Sequence, residues 1–195
     1  MMIRTAFATL IVCVSPFAQA SAAEWKADKS HSAVNFSIAH LVISTVTGRF
    51  RDFEATMVST NDDFTDASIQ ATIKTESIDT GVEDRDKRLR SDDFLNVADF
   101  PLITFKSASI ETTGVDRYKI TGNLTIRNIT KAVVLDTKYK GTILDQGKTR
   151  AAFEATTTID RFEYGVKWDK TIETGGLVAG KDIDITLFLE FVKQK

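Results

Sequence analysis

Only two histidines occur in the 195 residues, His31 and His40, and they are the first candidates for chemistry. With Glu24 and Asp28 close by in sequence, they could offer nitrogen and oxygen ligands to a metal ion. On one strand, however, side chains nine positions apart point to opposite faces, whereas a ligand pair needs i, i+2 spacing. The expectation is structural or surface histidines and no metal site. The single cysteine, Cys13, lies inside an N-terminal apolar run, so the remainder of the chain has neither a thiol nucleophile nor a disulfide. Ser30-His31-Ser32 are adjacent in sequence alone, and there is no Gly-x-Ser-x-Gly elbow to expose an activated serine. Asp and Glu total 27, yet nothing in their spacing singles out a glycosidase-like pair.

Gly175 to Asp182 reads GGLVAGKD, close to the phosphate-binding loop G-x-x-x-x-G-K-[ST]. Asp182 stands where a hydroxyl should hold magnesium, its carboxylate repels phosphate, and a strand pattern follows where a helix N-terminus is needed. A flexible hairpin loop is expected instead. Val82 to Arg90 reads VEDRDKRLR, a polar run with helical spacing. Glu83–Lys87, Asp84–Arg88 and Asp86–Arg90 are acid-before-base pairs at i, i+4, the favourable order on a helix. A short helix near 82–90, held by its own ion pairs, is therefore expected. Its Arg85, Lys87, Arg88 and Arg90 could otherwise meet an anionic head group or a membrane surface. The whole chain has 25 basic and 27 acidic residues for a net charge of −2, with no basic excess to suggest nucleic acid.

These groups need a frame to hold them. Arg4, the apolar run Ala6 to Val14 (AFATLIVCV) and the small residues Ala18-Gln19-Ala20-Ser21-Ala22-Ala23 have the layout of a cleavable secretory signal peptide. The apolar run is too short to span a bilayer. Cleavage after Ala22 gives a signal peptide over 1–22 and one domain over 23–195; cleavage after Ala20 is the other register. No later segment approaches transmembrane length. A domain of about 170 residues buries roughly 70% of its unfolded surface, enough for a core without staples.

Period two dominates that domain. Val34, Phe36 and Ile38 alternate with Asn35, Ser37 and Ala39, and Ile69, Ala71 and Ile73 with Gln70, Thr72 and Lys74. Phe53, Ala55 and Met57 alternate after a run from Val46 to Phe50 that needs a bulge. Ile120, Leu124 and Ile126 share parity, as do Ala151, Phe153, Ala155 and Ile159, and Ile183, Ile185, Leu187, Leu189 and Phe191. Half-buried strands read this way. Asn61-Asp62-Asp63, Thr113-Gly114, Asp145-Gln146-Gly147 and Gly175-Gly176 supply turns between them. Pro101 sits at a strand entrance, where a missing N–H does least harm. About eight strands plus one helix make an all-β antiparallel barrel, whose closure removes exposed edges. Phe36, Phe50, Phe53, Phe105, Phe153, Phe162 and Trp168 can line a cavity or fill a core. Alternation alone does not separate these outcomes, and an eight-stranded barrel is wide enough for either.

Several stretches carry a family likeness, in order along the chain. They are Trp25-Lys26-Ala27-Asp28 with His31-Ser32-Ala33-Val34-Asn35-Phe36-Ser37-Ile38-Ala39-His40, and then Gly48-Arg49-Phe50-Arg51-Asp52-Phe53. Ser77-Ile78-Asp79-Thr80 leads through Arg85-Asp86 to Leu89-Arg90-Ser91-Asp92-Asp93-Phe94-Leu95-Asn96. Phe100-Pro101-Leu102-Ile103-Thr104-Phe105-Lys106-Ser107, Gly122-Asn123-Leu124-Thr125-Ile126 and Thr130-Lys131 complete the set. From Glu24 to Lys193 the chain resembles the YceI-like family of bacterial periplasmic polyisoprenoid-binding proteins. The resemblance implies a lipocalin-like barrel whose lumen holds a long isoprenoid chain, of quinone or polyprenyl type. It implies no catalytic residue and no cofactor, a periplasmic location, and a possible cytochrome b561-type membrane partner. The family helix commonly carries a histidine where this chain has Arg88, and Tyr164 stands where phenylalanine is usual. The residues expected to line the lumen are Val34, Phe36, Ile38, Phe50, Phe53, Ile69, Ile73, Phe94, Phe105, Leu124, Phe153, Ala155, Phe162, Trp168, Ile185 and Leu187. The competing readings are a non-catalytic interaction module with a fully packed barrel and, with least support, an esterase or isomerase acting on a lipid.

Overall fold

The computed structural model describes residues 21–173 and 175–195. The signal-peptide reading falls almost wholly on residues 1–20, outside the described residues. Among the described residues eleven strands follow one another: β1 (Ala23–Ala27), β2 (Ala33–His40), β3 (Ser44–Phe50), β4 (Phe53–Ser59), β5 (Ser68–Lys74), β6 (Ile78–Asp79), β7 (Leu102–Gly114), β8 (Arg117–Ile126), β9 (Ile129–Asp145), β10 (Lys148–Asp160) and β11 (Ala179–Lys193). The helix α1 (Glu83–Arg90) lies between β6 and β7, and 3-10 turns occupy Thr75–Ser77 and Arg161–Tyr164. No helix among the described residues is long and apolar enough to cross a membrane.

The eleven strands make eight courses of a closed antiparallel barrel. β1 and β2 are one interrupted course, as are β3 with β4 and β5 with β6. β2 pairs β3 and β1 pairs β4 on one side, while both pair β11 on the other. From β5 the order runs through β7, β8, β9 and β10 to β11, which returns to β1. Each course therefore neighbours the next in sequence, and the last neighbours the first, so no course is left as an open edge.

The interruptions explain how the apolar pattern stays inward. In the second course Val46 and Phe50 face the lumen before the break and Phe53, Ala55 and Met57 after it, a switch of parity. The bulge expected after Val46–Phe50 is thus a bend at residues 51–52. The first course switches in the same way between Trp25 and Val34, and the third between Ile73 and Ile78. The three breaks lie side by side. Asp52 takes Lys29 at 3.0 Å from the first course and Lys74 at 2.7 Å from the third, and Lys74 N donates to Asp52 O at 2.9 Å. These ion pairs are exposed, so the alignment rests chiefly on the backbone bonds.

Two aromatic rings cover glycines in neighbouring courses. A Cβ on Gly48 would fall 2.3 Å from Phe36 Cζ, and one on Gly122 would fall 2.4 Å from Phe105 Cζ. Any larger residue would drive these rings off the wall they cover.

The helix is held differently from expectation. Among the described residues none of the pairs Glu83–Lys87, Asp84–Arg88 or Asp86–Arg90 forms. Arg90 instead reaches Glu76 and donates to the carbonyls of Glu76 and Ile78 at 2.9 and 2.8 Å. Asp86 is buried and accepts from Thr80 N and Thr80 Oγ1. The helix is short and docked, so backbone partners on the barrel hold it more than its own ion pairs do, of which Arg90–Glu83 at 4.0 Å is present. Its acidic first turn and basic last turn still suit the helix dipole.

Beyond β10 the chain is clamped by arginines. Arg161, only 3% exposed, donates to the carbonyls of Gly180, Val166 and Ala179 at 2.7, 2.7 and 3.0 Å. Arg127 donates to Phe94 O and Gly165 O. Next to them Tyr164 is 2% exposed, and its hydroxyl has no hydrogen-bond partner among the described residues. Burial pushes its pKa up to about 12. Tyr164→Phe removes an unpaired buried hydroxyl at almost constant shape, so it should leave stability unchanged or raise it by up to about 1 kcal/mol. Denaturant unfolding measures this, and a loss above about 1 kcal/mol would show a partner for the hydroxyl.

Candidate functional site: an apolar lumen

A cavity of about 450 Å³ runs inside the barrel. Its wall is built by period two: Ile183, Ile185, Leu187, Leu189 and Phe191 of β11 all face it, as do Phe153, Ala155, Thr157 and Ile159 of β10. Fifteen of the sixteen residues expected on the lumen border it: Val34, Phe36, Ile38, Phe50, Phe53, Ile69, Ile73, Phe94, Phe105, Leu124, Phe153, Ala155, Trp168, Ile185 and Leu187. Phe162 does not. It belongs to the 3-10 turn after β10, where strand parity has ended, and its ring lies under the Arg161 guanidinium at 4.3 Å.

One end of the lumen is plugged. Phe64, from the turn between β4 and β5, is 4% exposed and sits at ring-centroid distances of 5.4, 5.6 and 5.3 Å from Trp25, Tyr139 and Phe153. Phe153 meets Phe191 at 6.1 Å behind it. Edge contacts of this kind add to the burial itself. Phe64 has φ of +59°, unusual for a bulky residue and a sign that the turn is held from outside. Tyr118 donates its hydroxyl to Asp63 O at 2.9 Å. Asp66 accepts from the hydroxyls of Ser59 and Thr60 and from the backbone N–H of Thr60 and Asn61, and these bonds hold its carboxyl well below the usual carboxylate range. The plug is not legible in sequence, because Phe64 sits in a polar turn outside any alternating run.

The other end is a mouth bordered by α1, the β2–β3 hairpin and the segment between β10 and β11. His40, Arg85, Arg88, Arg161, Trp168 and Val178 lie on it. Arg88 stands 5.1 Å from the Trp168 ring centre and 5.9 Å from that of Phe94, with Asp93 at 3.6 Å. Arg85 donates to Thr80 Oγ1 and Thr80 O at 2.7 and 2.9 Å. Arg85, Arg88, Arg161 and His40 are the titratable groups on the lumen apart from Tyr118, and among the described residues no Asp or Glu borders it. Gly175 and Gly176, at φ of +85° and +97°, turn the chain directly into β11 with no helix after them, so the loop lacks the helix N-terminus that phosphate binding of the G-x-x-x-x-G-K type uses.

The histidines are placed otherwise than their spacing suggests. The chain breaks at residues 28–32, so His31 and His40 do not share one strand. His31 is an exposed turn residue with Nδ1 3.0 Å from Asp28 Oδ2, while His40 borders the mouth. Asp28, His31 and Glu190 come close enough together to offer ligand atoms. Arg150 fills the space between the two acids, bonding Asp28 Oδ2 at 3.0 Å and also Glu190 Oε1. A fixed guanidinium there opposes a second cation. None of these four residues borders the lumen.

That cluster gives a pH prediction. Hydrogen bonds from Ser30, then His31 and Arg150, hold the Asp28 carboxyl well below its ordinary value. A depressed carboxylate pKa stabilises the fold fully above the unfolded value of about 3.9 and progressively less below it. Thermal unfolding followed from about pH 6 to about pH 2 should therefore fall more steeply for the wild type than for Asp28→Asn. Parallel curves would remove Asp28 from the acid response.

The model of the family described as "YceI-like domain" matches residues 25–191. Protein YceI of Salmonella newport (strain SL254) is 40% identical over 179 residues, 90% of each chain. The structure of Campylobacter jejuni YCEI protein superposes with a TM-score of 0.68 at 30% identity, covering 81% of this chain and 90% of that one. The same fold recurs at 16% identity, with a TM-score of 0.67 and 87% and 98% coverage, in a domain of Saccharophagus degradans described as a polyisoprenoid binding domain.

Proposed function

The chain belongs to the YceI-like family, and on that footing we propose that it is a non-catalytic periplasmic carrier that encloses the chain of an isoprenoid lipid in its barrel lumen. The observation that carries this reading is the cavity of about 450 Å³ walled by inward apolar side chains. A close-packed interaction module has no need of such a space. The volume lies within the range of about 300–1,000 Å³ usual for small-molecule sites. At about 0.8 kcal/mol per buried CH₂, a five-carbon isoprene unit offers a gross gain of roughly 3–4 kcal/mol. Ordering of the chain and lost overall freedom offset part of this, yet several units suffice without a charged anchor. The description of the S. degradans domain adds the ligand class, and the N-terminal layout over 1–22 supports export. A quinone or polyprenyl head, and a cytochrome b561-type membrane partner, complete the proposal.

Mass spectrometry of lipid extracted from natively purified protein tests it. An isoprenoid near one per chain, on a protein starting at Ala23 or Ser21, is the expected result. A protein that yields no isoprenoid from any native preparation would favour the packed or otherwise occupied barrel.

A further inference from the structure

The turn between β2 and β3 exposes three consecutive apolar side chains. Leu41, Val42 and Ile43 are 38%, 66% and 89% exposed. Hairpin turns with positive φ ordinarily use Asn, Asp or Gly, yet Leu41 and Val42 take φ of +51° and +68°. For a β-branched valine this conformation is an outlier, because its Cβ crowds the following carbonyl oxygen. The turn is fixed rather than frayed: Leu41 N donates to Val178 O at 2.9 Å, and Ser44 Oγ donates to His40 O at 3.0 Å. Val42 packs beside Gly176, where a Cβ would fall 2.9 Å from Val42 Cγ2. Backbone strain and apolar exposure coincide at one tip.

The position of that tip supplies its partner. His40, Val46 and Val178, which flank it, all border the lumen mouth. The ionisable side chains on that mouth are Arg85, Arg88, Arg161 and His40, with no carboxylate among the described residues that border it. Arg85 spends its observed hydrogen bonds on the Thr80 hydroxyl and carbonyl oxygens rather than on acids. Arg88, more than half exposed, has one carboxylate neighbour, Asp93 at 3.6 Å; Arg161 is sealed in the wall by three carbonyls. We propose that the mouth docks on a lipid bilayer bearing anionic head groups, with Leu41, Val42 and Ile43 entering the acyl boundary and Arg85 and Arg88 facing phosphates. Apolar insertion combined with cationic attraction is the general basis of interfacial binding. In this pose the lumen opens on the membrane, so a lipid passes between bilayer and barrel without crossing water. That last step rests on the lipid-carrier reading; docking itself does not.

The molecule carries its own control. Ile143 and Leu144, 62% and 74% exposed, lie on the β9–β10 hairpin at the plugged end, where strand β10 begins near Ala151 and Phe191 rather than near the mouth. Mature protein is sedimented with phosphatidylethanolamine vesicles containing about one quarter phosphatidylglycerol, and with pure phosphatidylcholine vesicles. The wild type should pellet with the anionic vesicles and lose that binding at high salt. Ile43→Asp should weaken partition at least about tenfold, the scale of inserting a charge at about 1.4 kcal/mol or more, while Ile143→Asp should not. Leu41, Val42 and Ile43 are exposed, so a thermal melt confirms that each variant is folded. Wild type left in the supernatant, equal effects of Ile43→Asp and Ile143→Asp, or pelleting only with vesicles that contain a membrane protein would each overturn docking on lipid. Extraction of bound lipid from the same preparations separates the two readings. Lipid present without docking removes the present inference alone, and docking with a lumen that never yields lipid removes the carrier function alone.

Discussion

Replacing Ala155 by Trp should empty the barrel of lipid while leaving the lipid-free protein folded. Ala155 lies midway along β10, opposite Thr137 on β9 and Leu187 on β11, and it borders the lumen. An indole at this position projects into the tube between the mouth and the Phe64 plug. In a close-packed core the same change would force neighbours off their rotamers and cost roughly 1–3 kcal/mol or more. Here the ring enters space, so most of that cost is absent without ligand and reappears as lost affinity. A tenfold loss corresponds to about 1.4 kcal/mol, and several blocked CH₂ sites exceed it at about 0.8 kcal/mol each. The measurement is paired: lipid per mole of natively purified protein, and denaturant unfolding of delipidated protein. Severe destabilisation of the lipid-free form would mean that the wall closes around Ala155. No change in either quantity would mean that its side chain does not project inward.

Phe64→Ala should be severely destabilising. Its ring is buried against Trp25, Tyr139 and Phe153, and Phe→Ala at such a site costs about 3–5 kcal/mol. Cavity formation adds to lost transfer energy because the surrounding strands are tied by ladders on both sides and cannot collapse inward. The loss should appear in the lipid-free protein, which distinguishes it from Ala155→Trp, and the plugged end should become accessible to solvent. Unfolding measurements showing less than about 1 kcal/mol would mean that the turn carrying Phe64 is detachable from the barrel.

Much of the frame is legible from alternation, and the exceptions have physical causes. β7 to β11 are long, and between their register shifts, at Ser107–Ser109 and Thr112–Gly114 in β7, Tyr139–Gly141 in β9 and Ala179–Ile183 in β11, parity alone puts Phe105, Leu124, Phe153, Ile185 and Leu187 on the wall. In β3–β4 the apolar pattern changes parity between Phe50 and Phe53, which requires an interruption, and the bend at 51–52 supplies it. In β1–β2, residues 28–32 carry no apolar run to betray the break, and spacing misplaces His31 and His40 for that reason. Phe162 shows a different error: it is placed on the lumen as an aromatic although its position has the opposite parity to Phe153, Ala155 and Ile159, and the 3-10 turn after the strand lays its ring under Arg161. Phe64 is invisible to periodicity because loop residues reach a core through turn geometry, which has no period. Gly48 and Gly122 do carry a signal, since a glycine inside a strand marks a close approach, here by the rings of Phe36 and Phe105.

A tube stopped at one end makes an orientation rule and a ruler. A guest enters with its apolar terminus leading, because a polar leading group would come to rest among Trp25, Phe64 and Phe153 with its hydration lost and the Tyr118 hydroxyl of the lining already donated to Asp63 O, at a cost of roughly 2–7 kcal/mol. Amphiphiles with polar groups at both ends are thereby rejected whatever their apolar length. Among those admitted, the tail is measured against a fixed stop. A chain shorter than the tube leaves empty space near the aromatic end, and a longer one keeps its head outside the rim, so homologous lipids differing only in repeat number are sorted by where their heads come to lie.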